Sequence, residues 1–485
     1  MMTLRNVFSV AASLGLVSVA GVAAAQTPLS LNEAIRLAIA HSEALTVSHA
    51  AETRADADIA RVRSQKLPQV NMTGTYSRTL ASEFSAAVDN TGPVCAPFAP
   101  DPSKSLVDRV AEIERAGSCG SIGPSFNFAD LPFGRRNIYQ LGFSFAQAIY
   151  AGGKITAQQR QAETARKAAT LATSTTEAQV TLDVTRAYYD AALADRLVTI
   201  AESTFNQADA ALEQARLSFN AGRQPEFELL RAQVARDNQR PTVIRRRADR
   251  DVAYLRLRQL LELPAGAPLA IEADLETPGL APPAPFAATL SDARPTAADD
   301  HLTVQQSVAA VSTRESAIRI AHADRLPSVS VSSSLAKVGY PSSGAFPGPD
   351  DFRTNWSLAA TLQMPLFTGG RLQAGEASAR ADLTAAQAQL KQARELAELD
   401  DATARQDLLA AQAVWEASAS TVEQAERAYQ IADLRNREGL STQLELSDSR
   451  LSLQVAQATR AQAARDLQVA RARVALAPSL PAGAR

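Results

Sequence analysis

The chain has 485 residues, a length that suits two or three domains. Its 49 lysines and arginines balance 51 aspartates and glutamates, so no strong field points to nucleic acid. Aromatic residues are only 5% of a chain that is 46% hydrophobic, and alanine carries much of the difference, which favours long packed helices over a large mixed core.

Residues 1–25 have the form of a secretory signal peptide, with Arg5 ahead of an apolar run at 7–22 and Ala23-Ala24-Ala25 before Gln26. Loss of Arg5 with this segment takes the formal charge from −2 to −3. Gln26, not a cysteine, follows the site, so no lipid anchor is expected there. Beyond it no stretch of 18 apolar residues occurs, which excludes a transmembrane helix but leaves a β-barrel wall open.

Ser30-Leu31-Asn32-Glu33 is a capping box that opens a helix predicted to run to about Lys66, where Leu67-Pro68 stops it. Residues 69–80 then alternate, with Val70, Met72 and Tyr76 on one side and Asn71, Thr73, Thr75 and Ser77 on the other, which is strand period. An insertion at 81–136 is rich in proline, glycine and charge, with a short helical piece near 106–115. A second alternating segment at 137–148 leads into Ala151-Gly152-Gly153-Lys154. A run without glycine or proline follows from Ile155 to Ala221. Gly222 breaks it, and a return helix is expected from Glu226 to Leu263, kinked at Pro241.

Seven prolines between 264 and 295 read as a linker or equatorial segment. The order then repeats. A helix at 298–325 ends at Leu326-Pro327, strands are predicted at 328–336 and 354–366 around a shorter loop, and Thr368-Gly369-Gly370-Arg371 precedes a second glycine- and proline-free run from Glu376 to Glu438. Gly439 breaks it before a last helix from Thr442 to about Ala477. Gly152 to Gly369 and Gly222 to Gly439 are both offsets of 217, the mark of a duplicated half-protein. The expected divisions are a signal at 1–25, a first repeat at 26–263, the linker at 264–295, a second repeat at 296–477 and a tail at 478–485.

A run of about 67 residues makes a helix roughly 100 Å long. Positions 180, 184, 187, 191, 194, 198, 201, 205, 208, 212, 215 and 219 alternate by four and three and are all apolar. Their equivalents 217 residues later are mostly apolar, with Asp401, Ser418 and Asn436 the polar ones. This is a coiled-coil repeat, and its many alanines allow close helix approach. The four histidines (His41, His49, His301 and His322) lack ligand spacing, and no phosphate loop, nucleophile motif or metal spacing occurs, so neither an enzyme nor a cofactor is expected.

The duplicated layout resembles the TolC family of outer-membrane efflux and secretion channels. The marks are the Leu-Pro before the first strand of each half, the junctions Tyr150-Ala151-Gly152-Gly153 and Phe367-Thr368-Gly369-Gly370, and the turns Phe219-Asn220-Ala221-Gly222 and Arg437-Glu438-Gly439-Leu440. The resemblance implies a mostly α fold with a transmembrane part: a homotrimer whose 12-stranded β-barrel takes four strands per chain and continues as a coiled-coil α-helical barrel. It implies residence in outer-membrane lipid with extension into the periplasm. The partners implied are a periplasmic adaptor and an inner-membrane pump or ABC exporter, in drug efflux or type I secretion, with no nucleic acid. The competing reading is a periplasmic coiled-coil adaptor or scaffold protein.

By resemblance, adaptor docking falls on the tip residues Ala221, Gly222, Arg223, Glu438, Gly439 and Leu440. An acidic ring at the periplasmic entrance falls on Glu228, Glu445 and Asp448. Some family members latch the entrance with an aromatic and an arginine where this chain has Asn436 and Ser441, so its latch differs, with Arg435 and Arg437 the nearby candidates. Cys95 and Cys119 both fall in the first insertion of a chain expected to mature outside the cytoplasm. They are predicted to form a disulfide. Mass spectrometry of unreduced mature protein should show the pair linked, and two free thiols would refute it.

Overall fold

The computed structural model describes residues 28–81, 98–118, 135–264, 266, 268–273, 275, 280–291, 297–341, 346–481 and 483. The signal segment, Cys95 and Cys119 lie outside the described residues. The chain forms two compact units, each assembled from separated stretches of both halves. One comprises Ser48–Ala172 and Val304–Arg394, the other Met1–Val47, Thr173–Thr303 and Glu395–Arg485.

The first of these units holds the sheet. Strands β1 (Gln69–Arg78), β2 (Asn137–Ala151), β3 (Ser328–Gly339) and β4 (Phe352–Gln363) form one antiparallel meander in sequence order. The register pairs Val70 with Phe145, Met72 with Phe143, Phe143 with Leu335, and Leu335 with Trp356, so the apolar residues of all four strands share one face. That face is open: Val70, Met72, Trp356, Leu358 and Leu362 are each more than 60% exposed. The opposite face is small and polar, with Ser328, Ser330, Ser332 and Ser334 along β3. Trp356 Nε1 donates to Ser333 Oγ at 3.0 Å, which satisfies the one polar group of an apolar-face indole.

Strand β2 runs three residues past its predicted end because a bulge between Ala148 and Tyr150 inserts Ile149 and restores pairing of Tyr150 with Val329. Three helices border the strands. Helix α2 (Glu43–Ser64) precedes β1, α3 (Leu106–Ser118) lies in the first insertion, and α8 (Leu302–Ala323) precedes β3.

Two helices of 67 residues leave the sheet: α4 (Lys154–Asn220) and α9 (Arg371–Arg437), displaced by 217 residues at both ends. The glycine pairs that start them have matched left-handed backbones, φ +59° and +84° at Gly152 and Gly153 and the same values at Gly369 and Gly370. Along α9 the buried stripe follows the four-three repeat at Ala397, Asp401, Ala404, Trp415, Ser418, Ala432 and Asn436. Along α4 it holds at Val184, Ala191, Ala194, Val198, Ala201, Ala208 and Ala215, but the predicted last position, Phe219, is 38% exposed. The buried residue there is Ser218, one position earlier.

The second unit holds the main core. Leu31, Ala34, Ile35 and Ala38 of α1 (Leu31–His41) pack with Leu182, Tyr188 and Ala191 of α4 and with Ala464 and Leu467 of α10 (Gln443–Leu476). Tyr188 donates its hydroxyl to Leu29 O at 3.0 Å, and burial pushes the phenol up to about 12, so it remains a donor throughout the neutral range.

The single first helix predicted to Lys66 is broken at Ser42 (φ −56°, ψ 119°). Ser42 Oγ accepts from Leu45 N, and Glu262 Oε1 accepts from Glu43 N, so the broken amides keep partners. The return helix is likewise two pieces, α5 (Glu226–Asp237) and α6 (Gln239–Leu260), and the break at Asn238 falls three residues before Pro241. Proline lacks an N–H and its ring crowds the carbonyl four residues back, here that of Asp237. The proline-rich stretch does not merely span: Leu275, Leu280 and Phe286 are buried in the core, Ile271 bridges Leu29, and a short helix α7 (Ala287–Ser291) forms.

Gly152 and Gly369 share a backbone but not surroundings. A Cβ on Gly152 would lie 2.8 Å from Leu326 Cβ and 2.9 Å from Ala323 O, whereas one on Gly369 meets nothing within 4 Å. Gly369→Ala should therefore cost only the left-handed penalty, about 1–2 kcal/mol. Gly152→Ala should cost about 1–3 kcal/mol more from overpacking. Denaturant unfolding in detergent checks this; equal losses would contradict the packing argument.

Candidate functional site

Both long helices end in the same motif. At the first turn, Gly222 N donates to Phe219 O at 2.8 Å and Arg223 N to Ser218 O at 2.9 Å. At the second, Gly439 N donates to Asn436 O at 3.0 Å and Leu440 N to Arg435 O at 2.8 Å. These are Schellman motifs with left-handed glycines, φ +69° and +75°. The turns expose Ala221, Gly222, Arg223, Glu438, Gly439 and Leu440. Only glycine takes that backbone without strain, which accounts for the glycines themselves.

The two turns differ in what holds them. Asn436 is 4% and Gln443 2% exposed. Gln443 Nε2 donates to Asn436 Oδ1 at 3.1 Å, and Asn436 Nδ2 donates to Ser441 O at 3.2 Å. The positions where a latch was sought are thus bonded to each other across the turn. Arg435 reaches Glu445 at 3.6 Å and donates to Leu440 O at 3.4 Å, while Arg437 pairs with Asp433 one turn back at 2.6 Å.

The three acids occupy different environments. Glu228 Oε2 accepts from Gln443 N at 3.0 Å, so it caps α10 from α5, with Arg231 at 3.8 Å from its other oxygen. A carboxylate at a helix N-terminus satisfies an orphan amide and meets the positive end of the dipole. Glu445 lies in the first turn of α10, where its N donates to the Thr442 cap Oγ1 at 3.4 Å and its carboxylate faces Arg435 at 3.6 Å. Asp448, one turn on, is exposed and has no ion-pair partner among the described residues. The structure therefore brings Glu228 and Glu445 to the start of α10, and it gives the Glu228 carboxylate a capping task that spacing alone did not show.

Close by, Arg450 is 5% exposed, and burial holds its pKa below the usual arginine range. Its neighbour Tyr429 is pushed up by burial. Sequence reading did not single out this pair, Asn436 with Gln443, or Glu228 as a cap. Asn436 and Gln443 are seven residues apart across a glycine turn, a signal too weak to separate from surface polarity. Among the described residues no group of three or more His, Cys, Asp or Glu is placed to hold a metal. Of the histidines only His301 is buried.

A family model described as outer membrane efflux protein matches residues 116–262 and 294–478. The chain belongs to the outer membrane efflux protein family. Its place is the outer membrane, and its class is transport rather than catalysis. A comparison with curated proteins returned no match.

Several solved structures are similar. The CusC channel protein aligns over 93% of this chain and 92% of its own with a TM-score of 0.70 and 15% identity. The outer membrane protein VceC of Vibrio cholerae aligns over 92% and 96% with a TM-score of 0.69 and 17% identity. The CmeC outer membrane channel of Campylobacter jejuni aligns over 94% and 87% with a TM-score of 0.68 and 13% identity. At such identities the likeness carries the TolC-like channel-tunnel fold over nearly the whole chain. The duplicated match of the efflux family also fits the 217-residue offset seen in both helices and turns.

Removing the Asn436 amide leaves Gln443 Nε2 and Ser441 O without these partners, at a cost of about 1–3 kcal/mol for buried groups. Asn436→Ala should speed hydrogen exchange at amides 439–443 by about 5- to 100-fold and leave those of residues 222, 223, 224 and 226 unchanged. Equal acceleration at both turns would mean the network does not act locally.

Proposed function

We propose that the protein is the outer-membrane exit duct of a tripartite export assembly, formed by three copies of the chain. One observation carries this reading: a four-stranded sheet with an open apolar face runs directly into two helices of equal length. Four strands cannot close on themselves, but three sets of four make a 12-stranded barrel with lipid outside and the serine-lined face inside. The long helices would then continue the barrel as a coiled-coil tunnel about 100 Å into the periplasm.

The exposed Schellman turns are the surface offered to a periplasmic adaptor, and an inner-membrane pump or ABC exporter supplies the energy. A periplasmic adaptor or scaffold is disfavoured because a water-soluble protein would not leave Trp356, Leu358 and Leu362 more than 70% exposed on one face. Mass measurement of the detergent-solubilised protein should give three chains; a stable soluble monomer would overturn the architecture. Deleting the gene should raise sensitivity to dyes, detergents or antibiotics, or abolish release of a secreted protein.

Glu228, Glu445 and Asp448 form the acidic entrance in this reading, and three copies of each would focus a negative potential on the axis. Because Arg231 and Arg435 partly neutralise Glu228 and Glu445, Asp448 carries most of the field. Single-channel recording should show cation selectivity and block by trivalent cations. Both should weaken in Glu445→Ala/Asp448→Ala, and more in Asp448→Ala than in Glu445→Ala. Unchanged selectivity and block in an assembled double variant would return these acids to a structural role.

A further inference from the structure

The helix-side flanks of the four strands are cationic in a chain of near-zero net charge. Within the ten residues beyond each strand on that side, namely 59–68, 152–161, 318–327 and 364–373, there are eight arginines and lysines and one acid, Asp324. The whole chain has a formal charge of −2. Asp324 already pairs with Lys154 at 2.8 Å.

Arg160 and Arg319 of this set line a groove of about 570 Å³ beside the Gly152-Gly153 turn, together with His322 and Arg380. The carboxylate in that wall, Glu376, is 7% exposed and held by Arg325 at 2.9 Å and Arg380 at 2.5 Å. Arg160 and Arg319 are exposed and have no carboxylate partner among the described residues.

A second groove, of about 460 Å³, shares Gly153 and Thr156 with the first and is walled by Ile149, Tyr150, Ile155 and Lys66. Ile149, the bulge residue, is 60% exposed and Tyr150 50%. Lys66 Nζ donates only to the neutral Gln159 Oε1, at 2.7 Å. An apolar wall at the end of the sheet therefore passes, around one glycine turn, into a cationic one.

We propose that this junction binds an anionic phospholipid, with acyl chain against Ile149 and Tyr150 and the headgroup phosphate on Arg160 and Arg319. The inference rests on the barrel reading above, which puts the helix-side ends of the strands at the periplasmic edge of the membrane. Cations at that level attract anionic headgroups, each arginine or lysine adding to the attraction. Cationic side chains pair with phosphate oxygens, and the apolar wall separates a lipid from a free anion. Zwitterionic phosphatidylethanolamine carries no net charge and gains less.

The test uses the full-length protein reassembled in nanodiscs of equal phosphatidylethanolamine and phosphatidylglycerol, with retained lipids counted by native mass spectrometry. Wild type should retain phosphatidylglycerol over phosphatidylethanolamine by about tenfold, and Arg160→Gln/Arg319→Gln should lose most of that preference. Arg160→Lys/Arg319→Lys should keep it, because a point charge suffices. Equal retention of both lipids, or an unchanged preference in the glutamine variant, would overturn the proposal. Displacement of the lipid by millimolar inorganic phosphate would make the groove a general anion site and overturn it too. Failure of assembled protein to enter the bilayer is a separate readout and would remove the barrel reading first.

Discussion

The outer edges of β1 and β4 present backbone N–H and C=O groups to no further strand among the described residues. One face of the same sheet presents tryptophan, leucine, methionine and valine to the surroundings. Water tolerates neither for long, since open edges recruit strands and large apolar patches recruit anything apolar. Hydrocarbon tolerates the apolar face but makes an unpaired edge far more costly. The polar serine face adds the third condition, a hydrated interior. Only closure by more strands in a membrane meets all three, and the proposed trimer follows from that constraint.

Duplication supplies two copies of one backbone, and the structure shows how far identity of backbone allows difference of side chain. The glycine pairs at the strand-to-helix junctions repeat their angles, and both distal turns repeat one hydrogen-bond motif. Yet Gly152 is packed against Leu326 while Gly369 faces open space. At the tip, only the second turn is stitched by buried amides, and the acid of the first half has left its own helix to cap the other. The halves are therefore tied to each other there by a charge-assisted bond.

A near-zero net charge conceals strong local polarity. The flanks of the sheet are cationic, and the acids near the turns are partly neutralised by arginines on the same or adjacent helices. Such local charge is screened beyond about 10 Å, so neither region's field is read off the net charge of the chain.

The sequence by itself carried the order of elements, because periods of 2 and 3.5 and the glycine breaks depend on local sterics and on which face must avoid water. The two 67-residue helices, the four strands and the turns at Gly222 and Gly439 were legible on that ground. Only the tertiary structure decided the break at Ser42, which needs Glu262 from 219 residues away to receive an amide. It also decided the burial of Leu275, Leu280 and Phe286 in a stretch whose prolines read as a spacer. The site divides in the same way. Gly222 and Gly439 announce turns because φ > 0 is a property of one residue, whereas the role of Glu228 depends on an amide of a helix 215 residues later, and no local pattern encodes such a meeting.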